Sequence, residues 1–167
     1  MNLDAQRVQT AKAPLYLLFS LGEERYALAA RDVVAVLPRV PVKTIAGAPA
    51  WVAGVFAFRG ELVPVLDLSQ LSLGSAAVSR TSTRTVVVHY PTADGRIRPL
   101  GLVLEQASDT LRCEADAFRD YGVGTADSPY LGPVVETAAG LVQRITIDQL
   151  LPPDVQALLF PVEGLRL

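Results

Sequence analysis

Short runs of β-branched and aromatic residues, broken by turn formers roughly every ten residues, constrain this chain more than any other feature. Leu15 to Leu21 (LYLLFSL), then Gly22-Glu23-Glu24, then Arg25 to Ala29 (RYALA) predict a hairpin. Gly54 to Phe58 and Leu62 to Leu68 predict strands joined around Arg59-Gly60. Thr85 to Tyr90 and Leu100 to Glu105 flank a polar loop holding Asp94-Gly95, and Tyr130 to Glu136 and Leu141 to Ile147 turn at Thr137 to Gly140. Such spacing belongs to small barrels and sandwiches. Helical readings are few: Asp32 to Leu37, stopped by Pro38; Glu114 to Tyr121; and a last helix starting near Asp148 or after Pro152-Pro153 and running to about Phe160. Val155, Leu158 and Leu159 give that helix an apolar face. Ser69 to Arg84, rich in Ser, Thr and Ala, reads as a loop or crossover and as the boundary between two β subdomains. Residues 1–14 and 161–167 read as tails around a domain over 15–160, and no repeat at a fixed period is apparent.

With 167 residues, half of them hydrophobic and 19% charged, the chain can bury one sizeable core. Its net charge of −2 comes with scattered Lys and Arg, so no basic face exists for nucleic acid. The longest uncharged stretch, Thr44 to Phe58, is broken by Gly47, Pro49 and Gly54 and is too short to span a bilayer. No apolar core for a signal peptide occurs at the N-terminus, and the single cysteine, Cys113, has no internal disulfide partner. These features predict a cytoplasmic protein without direct membrane insertion.

Catalytic chemistry is sparse. His89, the only histidine, lies beside three valines and reads as a structural or surface residue, because no partner motif accompanies it. One His and one Cys do not make a zinc site. Gly122-Val123-Gly124 lacks the third glycine of a phosphate loop, and neither GxSxG nor HExxH occurs. Acidic residues are dispersed, although two carboxylates could still meet in space. No catalytic residue, cofactor or metal is expected.

The informative segment is Pro49 to Leu68, PAWVAGVFAFRGELVPVLDL. Glycine at position 60 suits the positive φ of a tight hairpin turn, which places Arg59 near the tip. The hairpin arms are apolar on both faces, so they are either covered twice or face a partner. Pro64 cannot donate to a ladder, which predicts an edge or a bulge. A buried strand with a solvent-exposed turn arginine and a partner-facing edge are both open on these residues alone. Trp51 reads as core, and Asp67 as the residue that caps or closes the following turn.

LYLLFSLGEERYALAARDVVAVLP followed by VKTIAGAPAWVAGVFAFRGELVPVLDL resembles the CheW family of chemotaxis coupling proteins, and PLGLVLEQASDTL is similar to that family's later hairpin. The resemblance extends from about Leu15 to Phe160. It implies an all-β fold with minor helices: two five-stranded SH3-like β-barrel subdomains around a shared hydrophobic core, plus a C-terminal helix. It also implies no catalysis or cofactor. The implied role is an adaptor in the cytoplasm, recruited to membrane-associated receptor arrays. Its partners would be the cytoplasmic tip of a methyl-accepting chemoreceptor and the regulatory domain of a CheA-type histidine kinase. By position, the resemblance points to Arg59 and Gly60 at the R-G turn, to Val33 and Val34 near the receptor groove, and to Leu102 and Leu104 on a strand of the other subdomain lining it.

Ala57 and Ala35 depart from the family pattern, standing where many relatives carry Asn and an acidic residue. PAWVAGVFAFRG and AFRDYGV also resemble the coupling proteins of Wsp-type surface-sensing systems, which regulate a diguanylate cyclase. Two other readings stand beside the adaptor: a CheW-like protein that caps or competes for an array, and a small-molecule-binding or hydrolytic β-barrel centred on His89 or a carboxylate pair.

Overall fold

One strand belongs to both halves of this protein. The computed structural model describes residues 13–121 and 127–161; the discounted glycine loop at 122–124, part of the AFRDYGV segment and both expected tails, apart from residues 13, 14 and 161, lie outside the described residues. The strands are β1 (Leu15–Leu21), β2 (Glu24–Ala29), β3 (Val33–Pro38), β4 (Val52–Phe58), β5 (Glu61–Asp67), β6 (Arg84–Pro91), β7 (Ile97–Arg112), β8 (Leu131–Thr137) and β9 (Gly140–Ile145). Two short α-helices, α1 (Leu68–Leu73) and α2 (Pro153–Leu159), complete the set. The N-terminal half of β7 pairs with β6 and β5, and β3 and β4 extend that sheet. Its C-terminal half pairs with β1, and β2, β9 and β8 follow in order. Each sheet therefore has five strands, with β7 counted in both, as the two-barrel expectation requires.

Both sheets close by the same device. The segment after an outer strand returns to make one isolated antiparallel bridge, Lys43 with Val55 and Arg119 with Val134. Each bridge carries two backbone hydrogen bonds of 2.7–2.9 Å. Closure removes the open edges that would otherwise invite aggregation. Gly54 makes the first closure possible. Its φ is +152°, and a Cβ there would lie 2.3 Å from the Lys43 carbonyl oxygen, so every larger residue must push the returning chain away.

The core lies between the barrels. Phe19, Leu28 and Ile145 from one sheet meet Leu66, Val86, Val88, Leu102 and Leu104 from the other, all buried. From α2, Val155 joins this core, and Phe160 just beyond it stacks on Tyr90 at 5.7 Å. Leu158, expected on the packed face, is exposed instead. Asp67 caps as expected: its carboxylate accepts from the Gln70 N–H at the start of α1 (3.1 Å) and from the Ala77 N–H (3.0 Å).

Three elements differ from expectation. Residues 33–38 form β3, not a helix; Asp32 ends a 3-10 turn over Ala30–Asp32, and the β-branched run after it takes the extended form. Only Ala115–Ala117 turn helically within 114–121, because Arg119 is needed extended for barrel closure. Residues 69–84 contain most of α1 and join β5 to β6, two strands of one sheet; the chain passes between barrels at Ala30–Asp32 and inside β7 instead. Gly54→Ala is expected to lower stability by at least about 2 kcal/mol, from the displaced closure and the positive φ. A shifted denaturant midpoint at unchanged slope would show it; a parental midpoint would mean the bridge does not hold the barrel shut.

Candidate partner-binding site

The β4–β5 hairpin brings Arg59 and Gly60 to its tip. Phe58 pairs with Glu61, leaving Arg59 and Gly60 as a two-residue loop. Both have positive φ, 49° and 80°, the type I′ form whose twist suits adjoining strands. Arg59 is one of two described non-glycine residues held at positive φ, a conformation disfavoured for a side chain of its type. Its guanidinium lies 4.7 Å from the Phe58 ring centroid, and Phe58 in turn sits 6.0 Å from Phe56. On the other face of the hairpin, paired with Ala57, Leu62 is 71% exposed. The tip thus presents a cation on an aromatic platform on one face and a solvated leucine on the other.

Pro64 falls where β5 pairs only with β4; pairing with β7 begins one residue later, at Val65. The β4 bulge between Val52 and Gly54 lies beside it. Both features agree with the constraint a missing N–H imposes. Trp51 packs partly buried against the inter-barrel core, as expected.

The other expected contacts divide. Val33 and Val34 are half-buried at the start of β3; Val33 pairs with Val88, and the register shift between Val33 and Ala35 leaves Val34 as the extra residue. Leu102 and Leu104 are 0% exposed within the core, and they lie in the same sheet as β3. As partner contacts they are corrected: in this structure they support the wall from inside and present no surface.

The groove that the resemblance implied between the subdomains has a lining that sequence reasoning missed. It is open, encloses about 420 Å³, and is lined by Asp32, His89 and Pro91 on one side, and by Pro133, Arg144, Ile145, Thr146, Ile147 and Asp148 on the other. His89 alternates outward on β6 while its neighbours Val88 and Tyr90 are buried, which explains why a histidine is tolerated among valines. Arg144 lies 5.6 Å over the Tyr16 ring. Nothing in the linear order links these side chains, since β6, the 3-10 turn before β3 and the end of β9 are far apart in the chain. No group of three metal-ligating side chains occurs among the described residues. Burial pushes the Cys113 thiol above its ordinary range, with Glu114 adding to the effect, so it is a poor nucleophile at neutral pH. No helix among the described residues is long and apolar enough to cross a membrane.

The CheW-like domain profile matches residues 15–155. A chemotaxis protein CheW from Klebsiella aerogenes is 27% identical over 146 residues, covering 86% of this chain and 84% of that protein. A chemotaxis protein CheW from Rhizobium meliloti is 28% identical over 95 residues, covering 57% of this chain and 58% of that one. The crystal structure of the scaffolding protein TtCheW from Thermoanaerobacter tengcongensis superposes with a TM-score of 0.74 at 22% identity, covering 86% of this chain and 90% of that chain. That likeness extends to the fold of two β-barrels.

The tip's backbone and its charge are separable. Arg59→Asn relieves the positive-φ strain and is expected to leave stability unchanged or raise it by a few tenths, up to about 0.5 kcal/mol. Thermal unfolding of the purified variant checks this, and a fall of the midpoint would show that the guanidinium–Phe58 stack, not the turn, holds the hairpin.

Proposed function

The chain belongs to the CheW family, and from that premise we propose that it is an adaptor coupling methyl-accepting chemoreceptors to a CheA-type histidine kinase. Family membership makes it a scaffold and not an enzyme, which sets aside the hydrolytic reading of His89. The observation that carries the proposal is the hairpin tip, where Arg59 rests on Phe58 and Leu62 stands exposed on the other face. Interfaces draw most of their energy from a few such anchors, an arginine with aromatic and aliphatic neighbours. In this reading the tip docks on the kinase regulatory domain, with Gly60 allowing the turn. The helical tip of the receptor lies in the inter-barrel groove, with Val33 and Val34 near its edge.

Adaptors of this kind work in the cytoplasm at the inner face of the receptor array. The likeness of PAWVAGVFAFRG to Wsp-type coupling proteins supports an output through a diguanylate cyclase. The alanines at 35 and 57 fit a partner set unlike that of flagellar systems.

Reconstitution of the purified chain with receptor cytoplasmic fragment and kinase tests the role. A bridging adaptor raises kinase turnover of ATP, whereas an array cap lowers it. In the same assay Arg59→Asn is expected to weaken kinase binding by about 1–3 kcal/mol, from loss of a charge-assisted anchor. If that variant holds both partners as tightly as the parent, the tip is not the kinase contact.

A further inference from the structure

Arg144 stands where the barrel built from β3 to β7 has an interior valine. In the parallel ladder between β9 and β2 it pairs with Ala27, as Val65 pairs with Gly101 in the ladder between β5 and β7. Val65 is wholly buried. Arg144 is only half-buried, lines the inter-barrel groove, and holds its guanidinium over Tyr16. Among the described residues the salt bridges are Arg25 with Asp109 and Arg96 with Asp94, and neither involves Arg144. An arginine that is preorganised by an aromatic face, with no salt-bridged carboxylate among the described residues, is placed to accept one from outside.

The rest of the lining narrows the ligand. Asp32 and Asp148 stand on the rim, so the groove offers one fixed cation against two carboxylates, with His89 and Thr146 as the other polar side chains. A phosphate or a nucleic-acid backbone would meet more repulsion than attraction there. A single carboxylate on a protein segment, flanked by basic residues that answer Asp32 and Asp148, satisfies all three charges. We infer that Arg144 is the charge-reading residue of the groove, pairing with a carboxylate presented by the receptor-tip helix docked there. This rests on the docking reading above and adds the chemistry that selects the occupant.

The test uses the full chain and the purified cytoplasmic hairpin of a methyl-accepting receptor from the same organism. The hairpin is prepared in native form and with its tip Asp and Glu residues changed to Asn and Gln. Arg144→Met is expected to bind the native hairpin roughly tenfold more weakly than the parent, with a shallower salt dependence. On the neutralised hairpin it should bind as the parent does. Arg144→Lys should recover part of the loss, and unfolding midpoints establish that each variant is folded. Equal binding of parent and Arg144→Met to the native hairpin overturns the inference while leaving the docking reading intact, as does an equal loss on both hairpins. A parent that does not bind the hairpin at all removes the docking reading and this inference together.

Discussion

Everything in this fold depends on β7 continuing through a change of partners. It runs for 16 residues, pairing with β6 and β5 along its first half and with β1 along its second. The transition falls where the register with β1 shifts opposite Phe19, and there Gln106 takes a φ of +50°. A bulge of this kind raises local twist and re-aims the strand. The Gln106 side chain accepts a hydrogen bond from the Ser20 hydroxyl at 2.9 Å, which fastens the bend to β1. Phe19, opposite the bend, is completely buried, so the turn from one barrel to the other is also where the shared core begins. Neither barrel is an independent body joined by a linker.

The two barrels are variations on one plan. Val55 and Val134 take the closing bridges, Val63 and Val142 point inward, and Leu66 and Ile145 face the common core. Leu62 and Leu141 stand exposed beside the two hairpin turns. Differences between the barrels then become informative. A strained arginine stacked on phenylalanine occupies one tip, where the other has Thr137 to Gly140. An arginine replaces an interior valine at the groove. The repeated frame thus leaves a few positions free to differ, and these two arginines occupy them.

How much of this was legible follows from where the information lies. Strand runs with local turns were readable: hairpins β1–β2, β4–β5, β6–β7 and β8–β9 sit where turn chemistry put them, because each is decided within a few residues. Arg59 at a tip and Asp67 at a cap were readable for the same reason. Valines 33 and 34 were misjudged as helical because an acidic residue before the run and a proline after it imitate helix punctuation, whereas their pairing with β6 is non-local. The likeness of the two barrels was hidden because one of them takes its strands from both ends of the chain. Leu102 and Leu104 show the limit of positional resemblance: it matched a strand of the same sheet as β3, and their burial follows from the pleat and from the sheet packed against it. The groove joins side chains that only the finished fold brings together.

The parallel pairing of β2 with β9 has a consequence for how the molecule is made. Residues 33–104 hold every strand segment of the second barrel in unbroken order. That barrel can close while the chain is still leaving the ribosome. The other cannot, because the edge of its first hairpin over Arg25 to Ala27 must wait unpaired until β9 has been synthesised. The same late strand carries Arg144, so a nascent chain acquires its second closed barrel and its groove in a single final step. An incomplete chain would therefore present the hairpin tip without the groove.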